Sequence, residues 1–464
     1  MQKFDPNDPP PNIIFIMADD MDFTLLPYLE HTNRLIAQEG AVFTNYFVTS
    51  PVCCPSRASI LRGQYPHNTG VFENSPGFEQ FHDKENNADT IATWMKRAGY
   101  TTSYMGKFLN LYPAGVKRTY VPPGWDDWRV FLTSERKSAD FFTNYVLNEN
   151  GKLVDYGESA EEYSTDVLTN KAIEFINQSA QTRSPFFLFI SPYAPHGPST
   201  PAPRHSELFL DVEYPKGESF HEADTSDKPL IVRNIRESGG SFEVGDADAL
   251  FVKRVQSMLA VDEMVLALVQ LLEQNGQLDN TYIFFTSDNG FHMGEHDLPS
   301  GKMLPYEEDI RVPLLIRGPG IQPNTTIQEM TANIDIAPTI AELTGARSAS
   351  FVDGRSFVHF FDQQQAEPQE WRSALLIEIG DPDRASPVIA YRGIRGENFV
   401  YVEYENGEIE FYDLIADPYQ LMNIAGTLDT ETLLILHAWL EELKSCQTDA
   451  CRKFEMTVPD NIKY

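Results

Sequence analysis

The chain has 464 residues, 42% of them hydrophobic, enough for a sizeable core and, by length alone, for roughly two or three domains. Lys and Arg total 36 against 68 Asp and Glu, a formal charge of −32, which argues against nucleic acid and anionic membrane surfaces as partners. An anionic substrate would therefore need positive residues concentrated at its site, because the mean field repels it.

No apolar run approaches the length of about eighteen residues that a membrane span requires, so none is expected. Met1-Gln2-Lys3-Phe4-Asp5-Pro6 lacks the basic and apolar regions of a secretory signal, so the protein is either cytoplasmic or has its signal outside this sequence. Cys446 and Cys451 lie close together near the C-terminus, where a short-loop disulfide is the expected reading, and that bond would favour an oxidising compartment.

In chain order, Asn12–Met17 is a short apolar run of the kind that forms a central strand buried on both faces. It ends in Ala18-Asp19-Asp20-Met21-Asp22, so carboxylates stand where open α/β sheets place their ligands. A helix is expected over Leu26–Gln38 and a strand over Ala41–Val48. Ser50-Pro51-Val52-Cys53-Cys54-Pro55-Ser56-Arg57 follows, with Ser56–Leu61 reading as helical. Pro55 suits a first turn, which puts Cys53 at a helix N-terminus with Arg57 one turn beyond it.

After a helix at Asp89–Ala98 comes a strand at Tyr100–Met105 that runs into Gly106-Lys107-Phe108-Leu109-Asn110. Residues Leu111–Asp155 read as an irregular, aromatic insertion of the type that shapes a substrate cleft. A helix at Ser164–Ser179 leads to the apolar strand Pro185–Ile190, which ends at Pro195-His196-Gly197. Ser199–Gly245 reads as a long polar surface excursion.

The helix Ala247–Gln274 feeds the strand Tyr282–Thr286, which ends in Ser287-Asp288-Asn289-Gly290-Phe291-His292-Met293-Gly294-Glu295-His296. Lys302 precedes a further strand, Val312–Arg317, and a helix starts near Asp335. Alternating strands and helices imply an α/β fold, a large, mostly parallel sheet covered by helices on both faces. Beyond about residue 365 the pattern changes to short alternating strands at 388–392, 399–404 and 408–412, with a Glu405-Asn406-Gly407 turn and a helix at Thr430–Lys444. The expected division is an α/β domain over 1–365 and a smaller subdomain with an antiparallel sheet over 366–464.

Strand ends thus supply Asp19, Asp20, Asp288 and Asn289 as hard oxygen ligands, which favours Ca2+ or Mg2+ over zinc. Cys53, Arg57, Lys107, His196 and Lys302 supply a nucleophile precursor, cations and a proton donor, suited to a compact oxyanion such as sulfate or phosphate.

Cys53-x-Pro55-Ser56-Arg57-x-x-x-Leu61-x-Gly63 resembles the signature of the type I sulfatases of the alkaline phosphatase superfamily. Asp19-Asp20, Gly106-Lys107, Pro195-His196-Gly197, Ser287-Asp288-Asn289-Gly290 and Gly301-Lys302 follow that family's order along nearly the whole chain. The resemblance implies an alkaline phosphatase-like fold and a Cys53 oxidised to Cα-formylglycine by a formylglycine-generating enzyme, with Cys54 a bystander. It also implies Ca2+, with Mg2+ as the alternative, on Asp19, Asp20, residue 53, Asp288 and Asn289. In the mechanism the resemblance implies, one hydroxyl of the hydrated aldehyde, hydrogen-bonded to Arg57, would attack sulfur. In the same implied scheme His196 would protonate the leaving alcohol, Lys107 and Lys302 would hold the sulfuryl group, and the second hydroxyl would release sulfate.

Within the family the likeness is to the N-acetylglucosamine-6-sulfatases and heparan 6-O-sulfatases. Its marks are Cys53-Cys54, Gly106-Lys107-Phe108-Leu109-Asn110, Pro123-Gly124-Trp125, Tyr412-Asp413-Leu414 with Asp417-Pro418, and Cys446 to Cys451. The implied substrate is a sulfated carbohydrate with a 6-O-sulfate on a hexosamine or hexose, and the implied location is extracytoplasmic. Two features depart from the pattern of many arylsulfatases: Leu109 stands where they carry a histidine, and Arg62 where the signature has threonine. His292 and His296 are expected to line the substrate cleft. The competing functions are phosphonate monoester or phosphodiester hydrolysis, and an inactive protein that binds sulfated glycans.

Overall fold

A computed structural model describes residues 9–134, 140–182, 184–239, 243–361, 370–381, 390–459 and 462. The main sheet is built from β1 (Asn12–Ala18), β2 (Ala41–Phe43), β4 (Thr101–Gly106), β5 (Asp127–Phe131), β6 (Val146–Glu149), β7 (Lys152–Asp155), β8 (Phe186–Ser191), β9 (Thr281–Ser287), β10 (Leu314–Arg317) and β11 (Thr325–Ile327). Its strand order is β11-β2-β10-β9-β1-β8-β4-β5-β6-β7. From β9 through β1, β8 and β4 to β5 every pairing is parallel, while β10 and β6 run antiparallel to their neighbours.

β1 lies at the centre because both its faces are apolar. Ile13, Phe15 and Met17 enter one core with Phe187, Phe189 and Phe284. Ile14, Ile16 and Ala18 enter the opposite core with Leu188, Ile190 and Phe285. Burying each of the larger side chains contributes about 1.5–3 kcal/mol, so a polar residue at either parity would be costly. The first face is covered by helices Cys53–Arg62, Ile91–Arg97 and Ile336–Thr344, and the second by Ser164–Thr182 and Val244–Gln274. Since β1, β4, β8 and β9 are parallel, their carboxyl ends, and the residues that follow them, open on one edge of the sheet.

A second, four-stranded antiparallel sheet carries β13 (Ala374–Ile379), β14 (Tyr391–Gly396), β15 (Phe399–Tyr404) and β16 (Ile409–Asp413) in that order. Helix Thr430–Ser445 packs against it in a third core that includes Leu376, Tyr401, Leu436 and Trp439. The expected domain boundary near residue 365 and the expected strand start at 388–389 lie outside the described residues.

Several local expectations change. The stretch expected as one strand over 41–48 is two, β2 in the main sheet and β3 (Tyr46–Phe47) paired with β12 (Thr331–Ala332). At the break, Thr44 and Asn45 donate to the carbonyls of Ile327 and Gln328. The expected helix over 26–38 is a 3-10 segment Phe23–Tyr28 with Pro27 inside, then Glu30–Thr32 and a wide turn Asn33–Ala37. Pro27 cannot donate within a helix, and the Asp262 carboxylate takes the backbone N–H groups of His31 and Thr32, starting a new segment there. The stretch 111–155, expected to be irregular, contributes β5, β6 and β7 to the edge of the main sheet, and the excursion 199–245 contains the helix Leu230–Gly239.

Candidate active site

Helix Cys53–Arg62 begins after Val52, which is extended at φ −151°, and ends at Gly63, left-handed at φ 67°. Pro55 occupies the first turn, where no intrahelical N–H bond is lost, and the Cys54 N–H is satisfied by Asn74 Oδ1 at 2.9 Å. Cys53 is therefore the first helical residue, aimed at the edge of the sheet, with Arg57 a turn later on the same face.

Cys53 Sγ lies 3.5 Å from Asp19 Oδ1, 3.9 Å from Asp20 Oδ1 and 2.8 Å from Lys302 Nζ. Lys302 also pairs with Asp20, and Lys107 Nζ is 2.5 Å from Asp19 Oδ2. Arg57 donates from Nε to Asp288 Oδ2 at 2.7 Å and from Nη1 to the carbonyls of Lys107 at 2.6 Å and Phe108 at 3.3 Å and to Ser191 Oγ at 2.8 Å. Asn289 Nδ2 donates to Asp20 Oδ1 at 2.8 Å. His196 Nε2 stands 3.7 Å from Asp20 Oδ2 while its Nδ1 donates to the Gly197 carbonyl at 2.8 Å, so Nε2 is the nitrogen that faces the cluster.

The backbone is bent to make this possible. Gly106 holds φ 101°, and a Cβ there would lie 2.0 Å from the Ser191 carbonyl oxygen, so only glycine lets β4 and β8 converge immediately before Lys107. Asp20 adopts φ 68°, a conformation unfavourable for a residue other than glycine. It is held by its N–H to Asp288 Oδ1 at 3.1 Å and by Arg254, which reaches the Asp20 carbonyl and Asp22 Oδ2, each at 2.7 Å. Arg254 escaped the sequence reading, although its position on the buried stripe of the long helix, between Phe251 and Met258, is the signal that it serves an internal acceptor.

Three carboxylates and three fixed cations thus face one another with little solvent. Burial alone would raise the Asp19 and Asp20 carboxyls, but the positive charges of Lys107, Lys302 and His196 hold both below the usual range. Asp288 is raised, because burial there outweighs Arg57. Burial also pushes the Cys53 thiol up to about 12 despite Lys107 and Lys302, so an unmodified Cys53 is a neutral thiol at neutral pH. Burial lowers His196 more than Asp20 raises it.

The donor set fits a hard divalent cation. Asp19, Asp20 and Asp288 present carboxylate oxygens, and Asn289 Oδ1 is buried with no hydrogen-bond partner. Single donor atoms of Asp19, Asp20, Cys53 and His196 all lie within 4.8 Å of one another. Arg57 Nη2 is likewise buried without a hydrogen bond, 3.7 Å from Asp19 Oδ2, and is available to an oxyanion.

The remaining expected residues take other partners. His292 is buried with Nδ1 2.8 Å from Asp309 Oδ1, and His296 is buried with Nδ1 2.7 Å from Glu222 Oε2 and its ring against Tyr306. Arg62, which stands where the signature has threonine, is buried. It donates to Gln64 and to the carbonyls of Asn86 and Asp89, and its guanidinium lies 4.0 Å over the Phe351 ring. Leu109 is a core residue beside Phe108. Cys446 and Cys451 form the expected disulfide.

Residues 11–346 match the family model described as Sulfatase, and residues 294–447 match that of the N-sulphoglucosamine sulphohydrolase C-terminal region. The chain is 37% identical over 485 residues to N-acetylglucosamine-6-sulfatase of Capra hircus, covering 95% of this chain and 85% of that protein. Its fold is similar to that of a protein solved in complex with its substrate D-glucosamine-2-N,6-O-disulfate, with TM-score 0.76, 26% identity and coverage of 98% and 100% of the two chains. The phosphonate monoester hydrolase of Agrobacterium radiobacter shares the fold at TM-score 0.73 and 24% identity, over 94% of this chain and 95% of that one.

Proposed function

The chain belongs to the sulfatase family, and from that premise we propose that it hydrolyses the 6-O-sulfate ester of a glucosamine-type unit in a sulfated glycan. The observation that carries this reading is the helix N-terminus that sets Cys53 Sγ within 4 Å of Asp19, Asp20 and Lys302.

Asp19, Asp20, Asp288, Asn289 and the side chain derived from Cys53 would hold a divalent cation, Ca2+ or alternatively Mg2+, which when bound supplies Lewis-acid charge to the oxygens of the reacting group. Oxidised to formylglycine by a dedicated maturation enzyme, Cys53 would supply the hydrated aldehyde whose hydroxyl is the nucleophile, a role closed to a thiol pushed up to about 12. Arg57 fixes that residue's surroundings and offers its spare Nη2 to the anion. Lys107 and Lys302 hold nonbridging oxygens and stabilise charge that develops on them, and His196, whose Nδ1–H is committed to the Gly197 carbonyl, acts as the general acid in its imidazolium form, giving the Nε2 proton to the leaving alcohol and becoming neutral. Burial strengthens each of these interactions, since neighbouring dipoles and charges replace water.

An extracytoplasmic location is part of this reading and is supported by the Cys446–Cys451 disulfide. Comparing kcat/KM for glucosamine 6-sulfate with that for an aryl phosphodiester tests the substrate class. Preference for the sulfate ester is expected, and preference for the phosphodiester would replace this reading with that of a phosphodiesterase.

A further inference from the structure

Lys302 approaches Cys53 and Asp20 from a tight loop whose geometry needs support. The next residue, Met303, sits at φ 88°, in the left-handed region that side chains other than glycine's adopt at a cost. Such a conformation persists where its surroundings over-determine it. Two anchors flank it. On the N-terminal side Gly301 and His292 exchange both backbone hydrogen bonds, His292 N–H to the Gly301 carbonyl at 2.9 Å and Gly301 N–H to the His292 carbonyl at 3.0 Å. On the C-terminal side the Leu304 N–H donates to Asp309 Oδ2 at 2.9 Å.

One carboxylate closes the circuit, because the other oxygen of Asp309, Oδ1, accepts from His292 Nδ1 at 2.8 Å. Asp309 is fully buried and His292 is 4% exposed. The short helix that carries Asp309, Glu307–Ile310, also receives the N–H groups of Gly290 and Phe291 on the carbonyls of Asp309 and Glu308, each at 2.9 Å. Gly290 is needed for that approach, since a Cβ there would lie 1.9 Å from the Glu308 carbonyl oxygen. The same four-residue element therefore clamps both the segment after Asn289 and the loop that carries Lys302.

We propose that the His292–Asp309 pair is a positioning element that fixes the Lys302 ammonium against residue 53 and Asp20, and that His292 acts through Lys302 and not by touching substrate. The proposal rests on the reading of Lys302 as a sulfate-holding cation. It predicts that the pair matters only while Lys302 is present.

A double-mutant cycle tests this. His292→Ala and Asp309→Asn, the latter isosteric with the native residue, should each lower kcat/KM for an aryl sulfate by about 10- to 100-fold in the otherwise native enzyme, the size of loss that a misplacement of about 1 Å produces. In a Lys302→Gln background, measured at high enzyme concentration, the same substitutions should change the rate by less than about twofold, because coupled residues do not add. His292→Asn, whose amide nitrogen can occupy the place of Nδ1, should recover most of what His292→Ala loses. Amide exchange across residues 300–304 should be faster in Asp309→Asn than in the native protein. Equal fold losses in both backgrounds, or unchanged exchange across 300–304, would overturn the positioning role. Near-native turnover of Lys302→Gln by itself would refute the reading of Lys302 on which the proposal rests, a distinguishable failure.

Discussion

Arg57→Lys keeps the charge at position 57 and removes the fork, and its consequence can be worked from the contacts. Arg57 reaches four acceptors, Asp288 Oδ2, the carbonyls of Lys107 and Phe108, and Ser191 Oγ, at 2.6–3.3 Å while almost fully buried. A lysine ammonium on a shorter stem can serve one or two of them, and the guanidinium's planar geometry has no equivalent in it. Losing two hydrogen bonds from a charged donor, at about 1.5–3 kcal/mol each, gives an expected destabilisation of about 3–6 kcal/mol, part of it from leaving Asp288 poorly paired. Loss of the spare Nη2 donor and of the fixed geometry should lower kcat by about 100- to 1000-fold, the scale for removing one donor from an oxyanion site. Thermal scans at one fixed rate, run beside aryl sulfate turnover, read both quantities. A variant that melts with the native protein and keeps its kcat within about threefold would refute the assignment of Arg57 as a central organiser, since effects of that size are typical of surface substitutions.

The remaining expectations concern the metal, the tail and pH. Chelation should abolish turnover and Ca2+ should restore it. Asn289→Ala, by removing the unpartnered buried Oδ1, should raise the Ca2+ concentration for half-maximal activity by about 10-fold or more, read by titrating activity against free Ca2+. Replacing Cys446 and Cys451, five positions apart in sequence, by serine should cost about 2 kcal/mol from loop entropy and leave kcat unchanged, checked by denaturant unfolding and turnover. His67 lies between Glu378, 2.8 Å from Nδ1, and the Cys446 carbonyl, 2.9 Å from Nε2. Burial opposes its charge, but Glu378 raises it above its ordinary value by more. The raised value means that the folded state holds this proton more tightly than the unfolded chain does. The stabilisation is therefore complete below the ordinary histidine value of about 6.5 and is lost as pH rises through the folded value, so melting temperature should fall over that window and His67→Gln should flatten the slope.

The parts of the fold that could be read from the sequence are those where one segment carries its own signal. β1, β8 and β9 are continuous apolar runs buried on both faces, and the parallel pairing they imply is observed. Asp19, Asp20, Asp288 and Asn289 follow such strands directly, so their meeting at one edge follows from the architecture. What escaped depends on distant partners. β5, β6 and β7 are short, partly exposed strands that mean little until β4 pairs with β5 and the other two add on beyond it. β13 contains Glu378 within an apolar run, a charge tolerated because His67, far away in the chain, and Arg392, opposite it on β14, meet it. What Arg254 and Asp309 serve is set by the groups they bond, Asp20 and Asp22 for the first and His292 and Leu304 for the second.

On the proposed mechanism Cys53 is the precursor of the nucleophile, held at a helix N-terminus among three carboxylates and three cations. Mass spectrometry of the peptide spanning Cys53, from catalytically active protein produced alongside a formylglycine-generating enzyme, tests it most directly. The predicted result is a residue 53 lighter than cysteine by the exchange of its CH2SH group for an aldehyde, with Cys54 unchanged and turnover proportional to the converted fraction. Full sulfatase activity in protein whose residue 53 is entirely unmodified thiol would contradict the claim.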